Sequence, residues 1–562
     1  MLAAAAPSPN PSPTRPPKSR WQAWIALCLP VLVAVVLMAP RITHSEFGLF
    51  DDANSISVAQ QTWSGEWDWR QDLGQYGRFR PVYWLAFSII YRWAEVQPTW
   101  YFLGNLLLLS LTALMLSGAL LRLTGRPLAA GVAGLAFVLG GPVIEATYTL
   151  SKPELWQCFL MVGAGATIVL VPRSGSELLR ITRMAVASLL VLLAALTKET
   201  TGLLLIITPA WLAMVWLWDR GHREKPSTHE QVRDFMVACG LGIATYAAMA
   251  VASSPSIISA AGPRANFGLT WTTITAHANI WLDFIVRAWL YLLPLLAAAA
   301  ISLVATRRLG WAPLMLGALI WMAFWLVLYL PYRFTPEYYL LPFSLGASVL
   351  AALLAVQVAE SIRTQSWVGW ALVGAGTTAS AGLFLLTIPN NVSNAAIQLA
   401  VDKANADMLR FVAKEAPLGA RVLVNIRLDS EYLWQVGPML RTVHGRPDLD
   451  VQPYPADDGD AWDDDRPTFI VSPFAENVPY PSVRMGIPEA ESRQWESALK
   501  EELGGRLVLQ RQSRSHARLF IVDAPRLVCL AWREMDYCQR RNAPFDTRRF
   551  AAGWRIYALG DP

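Results

Sequence analysis

Between residues 21 and 388 the chain alternates long apolar runs with short polar breaks, and from about residue 390 that rhythm stops. The first run, 21–40, is long enough as a helix to cross about 30 Å of hydrocarbon. Similar runs follow at 99–121, 128–146, 155–171, 184–197, 200–218, 233–252, 281–305, 310–330, 339–360 and 367–388, with 184–197 the shortest. The pattern predicts about eleven membrane-crossing helices. A cleaved signal peptide is the competing reading of the first run. Its length, the lack of an A-x-A-like site and the spans behind it favour a retained helix.

Two polar stretches interrupt the runs. Residues 41–98 form a long loop carrying Trp63, Trp67 and Trp69, which suit the headgroup level. Within it, Val82–Ala94 is apolar but too short to span, which predicts a helix lying in the interface. A second polar stretch, about 253–280, is partly amphipathic. After 390 the periodicity predicts an amphipathic helix at 394–415 and helical stretches near 429–442 and 490–503. Short β-like runs are Arg421–Ile426, Thr468–Ser472, Arg506–Leu509 and Arg518–Val522. Some 170 residues, roughly, suffice for one soluble α/β domain.

Composition agrees. The 562-residue chain is 54% hydrophobic and 16% charged, against about 25% charged in ordinary soluble domains. Residues 1–20 are proline-rich and end in Arg15, Lys18 and Arg20, which predicts a disordered basic tail. With that tail cytoplasmic, the loops on its side hold Arg122 and Arg126; Arg173, Arg180 and Arg183; Arg220, Arg223 and Lys225; Arg307 and Arg308; and Arg363. Most short-loop cations then share one side, as the positive-inside rule requires. An odd number of spans puts the C-terminal domain on the other side. The net charge of +5 sits in small clusters between apolar runs, which argues against a nucleic-acid partner. Cys28, Cys158 and Cys239 read as core thiols, whereas Cys529 and Cys538 in the polar region either pair or stay reduced.

The outer loops of this arrangement collect acids and bases from separate places. They carry Asp51 and Asp52, Arg78 and Arg80, Glu145 with Lys152 and Glu154, Lys198-Glu199, and Tyr332-Arg333 with Glu337. Lys198-Glu199 stands between two apolar runs with almost no polar loop, a costly place for charge unless it is paired or faces water. The set suits one task. A sugar on a lipid phosphate approaches from the outer leaflet, and its leaving phosphate needs Arg or Lys. The acceptor hydroxyl needs a carboxylate as base. Direct displacement inverts the anomeric carbon. The adjacent acids could also hold a divalent cation, Mg or Mn, against the phosphate; Arg80 and Lys198 could make that cation unnecessary.

The residues that carry a family likeness are Phe50-Asp51-Asp52, then Arg80-Pro81, then Tyr101 through Asn105-Leu106-Leu107 opening a span. Pro142-Val143-Ile144-Glu145-Ala146 and Lys152-Pro153-Glu154-Leu155 follow, then Thr197-Lys198-Glu199-Thr200 and Tyr332-Arg333. In that order, over roughly residues 45–345, the chain resembles the membrane-embedded glycosyltransferases of the GT-C fold, especially protein O-mannosyltransferases and their bacterial relatives. The resemblance implies a polyprenyl-phosphate sugar donor and an acidic residue of the first loop as base. The chain departs where a His often precedes the helix-opening Asn and Gly104 stands instead.

Blander roles compete. Asp52 could cap a helix starting near Ala53, Arg78 and Arg80 could snorkel to headgroups, and Lys198 could pair with Glu199. Arg333 could anchor at the interface. Four apparent motifs are set aside. Gly374-Ala375-Gly376-Thr377-Thr378-Ala379 lies within an apolar run and reads as helix packing rather than a dinucleotide fingerprint. Asp457–Asp465 lacks calcium-loop spacing, the six His are scattered, and Asn391-Val392-Ser393 matters as a glycosylation site only in a eukaryotic secretory pathway.

The sequence thus predicts a polytopic α-helical membrane protein, GT-C-like, with a C-terminal soluble α/β domain. Its parts are a basic cytoplasmic tail at 1–20, a transmembrane domain at 21–389 with its catalytic loop at 41–98, and an external domain at 390–562. It would be an inverting hexosyl or pentosyl transferase, moving sugar from a polyprenyl-phosphate donor to an exported protein or a glycolipid. Asp51 is the expected base with Asp52 as orienter, or the reverse. Arg80, Arg78, Lys198 and Arg333 would meet the donor phosphate, supported by Glu145, Lys152, Glu154, Glu199 and Glu337. A bacterial host would place it in the inner membrane with its site periplasmic. The rival is a transporter or flippase of a lipid-linked sugar. Charges gathered at one face rather than the midplane, and the lack of an inverted repeat, favour the enzyme.

Overall fold

A computed structural model describes residues 20–49, 51–67, 79–171, 176–221, 227–253, 270–306, 311–331, 337–361, 366–425, 431–454, 466–477, 489–503, 506–522 and 545–559. Prolines set many helix starts. Pro81, Pro98, Pro127, Pro142, Pro153 and Pro313 each occupy a first or second helical position, where a missing N–H leaves no bond unmade and the fixed φ suits the helix. Gly125, at φ 66°, closes the helix that Pro98 opens; this left-handed geometry lets its N–H reach the Leu121 carbonyl.

The helices in order are α1 (Arg20–Thr43), α2 (Asp52–Ser64), α3 (Pro81–Ala94), α4 (Pro98–Thr124), α5 (Pro127–Val138), α6 (Gly141–Tyr148), α7 (Pro153–Leu170) and α8 (Glu177–Thr197). A 3-10 turn, Glu199–Leu203, leads into α9 (Leu204–Gly221), followed by α10 (Ser227–Ser253), α11 (Trp271–Trp289), α12 (Leu292–Thr306) and α13 (Ala312–Tyr329). A second 3-10 turn, Glu337–Leu340, opens α14 (Leu341–Ser361), and α15 covers Trp367–Glu415. Among the described residues nine helices are long and apolar enough to cross a membrane, and up to eleven if each of two bent pairs, α5–α6 and α11–α12, forms one span. The α5–α6 bend of 55° falls at Leu139-Gly140, and Glu145 lies in α6 beyond it.

The expected boundary at 389/390 falls inside α15, which runs unbroken for 49 residues through Pro389. An interior proline usually breaks a helix. Here packing on a sheet accompanies its continuation. Asn390 accepts from the Val522 N–H and donates to its carbonyl, both at 2.8 Å, and Ser393 does the same with Phe520 at 3.0 Å. Asn391 donates to the Leu139 carbonyl. Asn391 and Ser393 are therefore buried at the seam between bundle and sheet, with Val392 between them exposed.

That sheet holds five strands in the order β2-β1-β3-β5-β4: β1 (Arg421–Asn425), β2 (Asp450–Tyr454), β3 (Thr468–Glu476), β4 (Leu507–Val522) and β5 (Phe545–Leu559). β1 pairs in parallel with β2 and β3, and β5 runs antiparallel to both β3 and β4. α15 lies against β4 and β5, α16 (Glu431–Thr442) against α2, and α17 (Glu489–Glu502) against β3. The runs expected at Arg506–Leu509 and Arg518–Val522 are the two ends of the single strand β4. Cys529, Cys538 and Asp457–Asp465 lie outside the described residues.

Gly376 packs α15 against α12. A Cβ there would lie 3.0 Å from Ala298 Cβ and 3.1 Å from the Pro294 carbonyl, whereas one at Gly374 would meet nothing within 4 Å. Gly376→Val should therefore lower stability by about 1–3 kcal/mol, read as a lower unfolding temperature in detergent, with Gly374→Ala as the neutral control.

Candidate active site at one end of the bundle

The loop after α1 turns into α2 at the acidic pair. Asp51 takes φ 66°, unusual outside glycine, at the cap position, and Asp52 is the first helical residue. Asp51 makes no side-chain cap bond to the helix, so capping does not account for its carboxylate. It instead accepts from Lys152 Nζ at 3.0 Å, and its side chain is 49% exposed against 1% for Lys152. Asp52 is buried, accepting from the Gly48 N–H at 2.8 Å and from Ser151 Oγ at 3.1 Å. Burial, then the Asp402 charge, push the Asp52 carboxyl up to about 7, against the pull of the Gly48 N–H, Arg41 and Lys152. One acid thus opens to solvent beside an ammonium, and the other is sealed into the loop.

Lys152 caps α7, and Glu154 lies two residues inside it. Lys198, at the end of α8, pairs with Glu154, a partner that its adjacency to Glu199 does not suggest. Gln157 ties α7 to the first 3-10 turn, donating to Thr200 and Thr201 at 3.0 and 2.9 Å. The second 3-10 turn covers both lysines: Lys152 Nζ lies 4.6 Å from the Tyr338 ring centroid and Lys198 Nζ 4.6 Å from that of Tyr339. The turn is fixed by Glu145, which accepts from the Tyr338 N–H at 2.9 Å. Glu337 packs on the bare backbone of Gly141, where any side chain would collide with it. Asn105 holds the end of α6 by donating to the carbonyls of Thr147 and Thr149 at 3.0 and 3.1 Å.

Arg80 caps α3, with its guanidinium 5.7 and 5.5 Å from the ring centroids of Tyr83 and Trp84. The Tyr83 hydroxyl comes within 3.5 Å of Ser55 Oγ, and Ser55 donates to Ser151 at 2.8 Å, so this aromatic ledge borders the acidic pair. The structure therefore brings Asp51, Asp52, Glu145, Lys152, Glu154, Lys198 and Glu337 into one connected cluster, with Arg80 at its border. Glu199 opens the 3-10 turn beside it. Arg78 and Arg333 lie outside the described residues.

Residues that sequence reasoning passed over include Gly48, Ser55, Ser151, Tyr338 and Tyr339. Ser151-Lys152 and Glu337-Tyr338-Tyr339 adjoin residues already singled out, which is the one local signal they carry. Among the described residues no three His, Cys, Asp or Glu side chains converge to hold a metal ion, and Asp51 faces an ammonium.

No protein-family model and no curated protein matches the chain. Solved structures do. ArnT from Cupriavidus metallidurans in the apo state is 14% identical, with a TM-score of 0.51 over 97% of this chain and 100% of that one. The same protein bound to undecaprenyl phosphate is 15% identical, with a TM-score of 0.50 over 80% of this chain and 93% of that one. The chain is an integral, multi-pass membrane protein with the GT-C fold.

Proposed function

We propose that the protein is an inverting glycosyltransferase that moves a sugar from a polyprenyl-phosphate donor to an exported protein or a glycolipid at the outer face of its membrane. The observation that carries this reading is a half-exposed carboxylate, Asp51, held by the buried ammonium of Lys152 beside a second buried cation, Lys198. The GT-C fold supports it, as does the undecaprenyl phosphate held by ArnT.

Asp51 takes the proton of the acceptor hydroxyl. The freed oxygen attacks the anomeric carbon on the side opposite the phosphate, whose C–O bond breaks with its electron pair going to the phosphate oxygen. Lys198 and Arg80, joined by Arg78 and Arg333, balance the departing charge. Asp52, sealed from solvent and carrying a pKa near neutrality, serves to hold the turn. Glu145, Glu154, Glu199 and Glu337 place the cations and the tyrosine turn.

Replacing Asp51 and Asp52 together by Asn should abolish transfer from a labelled polyprenyl-phosphate sugar to a crude acceptor extract while the protein still inserts. Undiminished transfer rejects the assignment. A transporter would instead move the labelled lipid across a vesicle without forming a glycosidic bond. The gathering of charge at one end of the bundle speaks against that class.

A further inference from the structure

We propose that Asp402 is a positioning residue for the Asp51-Asp52 turn, so that the C-terminal part of α15 completes the site; this rests on the reading of that turn as the catalytic centre. Among the described residues three polar contacts tie residues 41–64 to the C-terminal region. Arg41 meets Asp402 at 2.6 Å, Glu46 meets Arg410, and the Asn54 N–H reaches Gln435 Oε1 at 3.3 Å. The first is sealed from solvent, its side chains 0% and 1% exposed. Arg41 also lies 3.9 Å from the Phe102 ring centroid and donates to the Glu46 carbonyl at 3.2 Å. Gln398 donates to Asp402 Oδ1 at 3.1 Å, while Oδ2 has the Arg41 ion pair and no hydrogen bond among the described residues.

Gly48 stands between Asp402 and Asp52. A Cβ there would lie 3.1 Å from Asp402 Oδ1 and 3.3 Å from Asp52 Oδ2. The Asp402 charge therefore faces Asp52 across bare backbone, while Gly48 N–H and Ser151 draw the Asp52 oxygens toward themselves. Asp52 directly follows the left-handed Asp51, a strained conformation that persists only where its surroundings hold it in place. Fixing Asp52 fixes where the Asp51 carboxylate meets Lys152. As a purely structural pair Arg41–Asp402 is poorly built, since Arg41 Nε and Nη1 are buried without a hydrogen-bond partner among the described residues.

Asp402→Asn should lower kcat by roughly 10–100-fold, the usual cost of losing an orienting partner, with the donor KM little changed. The double variant Arg41→Met/Asp402→Leu removes both charges, and thermal stability should return toward wild type while kcat stays low. A kcat that recovers together with stability would show the pair to be structural and overturn the proposal. Gly48→Ala keeps every charge and pushes on both carboxylates; kcat should fall several-fold with polyprenyl-phosphate binding intact, and an unchanged kcat overturns the proposal. A wild-type protein that transfers no sugar counts against the proposed function itself, a separate result.

Discussion

Asp51→Asn alone is expected to cost roughly 10²–10⁴-fold in kcat, the usual worth of a positioned general base. Asp52→Asn should cost less, roughly 10–100-fold. The difference comes from exposure. Asp51 is half open beside Lys152, where an acceptor hydroxyl can reach it, whereas Asp52 is enclosed by Gly48, Ser151 and the neighbouring Asp402. An amide at 52 can still accept from the Gly48 N–H through its oxygen and turn its NH₂ toward Ser151, so the turn survives. An amide at 51 keeps the shape and loses the proton acceptor. Transfer and polyprenyl-phosphate binding measured on both variants separate the roles: binding should persist in each while turnover differs. Equal loss in both, or a larger loss at 52, would reverse the assignment of base and orienter.

Glu154→Leu should lower stability by about 3–5 kcal/mol, the penalty for leaving one member of a buried ion pair alone. Glu154 and Lys198 are 1% and 9% exposed, and Lys198 has an aromatic face on its other side, so water cannot readily replace the lost carboxylate. Thermal unfolding in detergent reads the effect. Glu154→Leu/Lys198→Leu should regain most of that stability, because two apolar side chains fill the site without a stranded charge. If Lys198 serves the donor phosphate as proposed, this double variant should also bind polyprenyl phosphate more weakly than wild type. Full donor affinity in the double variant would remove Lys198 from the donor site.

Much of the site could be read along the chain because its residues sit at the ends of apolar runs. Asp51-Asp52, Lys152-Pro153-Glu154 and Lys198-Glu199 announce themselves as charge beside hydrocarbon. Their pairings could not be read that way. Lys152 meets Asp51 across 101 positions, and Lys198 meets Glu154 across 44. Asp402 looked like one more polar position on an amphipathic helix. Its burial became visible only when α15 was set against α1 and the first loop. β4 read as two short runs because Ser513, Ser515 and Ala517 occupy its buried face and blur the apolar alternation. β5 lacked a clean alternation because residues 550–557 are buried without interruption, on both faces of the strand.

By itself the sequence determined the membrane class, the span pattern and the candidate charges. These depend on hydrophobic period, which neighbours in the chain suffice to express. Tertiary structure alone decided which aspartate is open, which carboxylate holds each lysine, and that one continuous helix joins the bundle to the sheet. Those outcomes depend on burial and on charges that meet only after distant helices have packed.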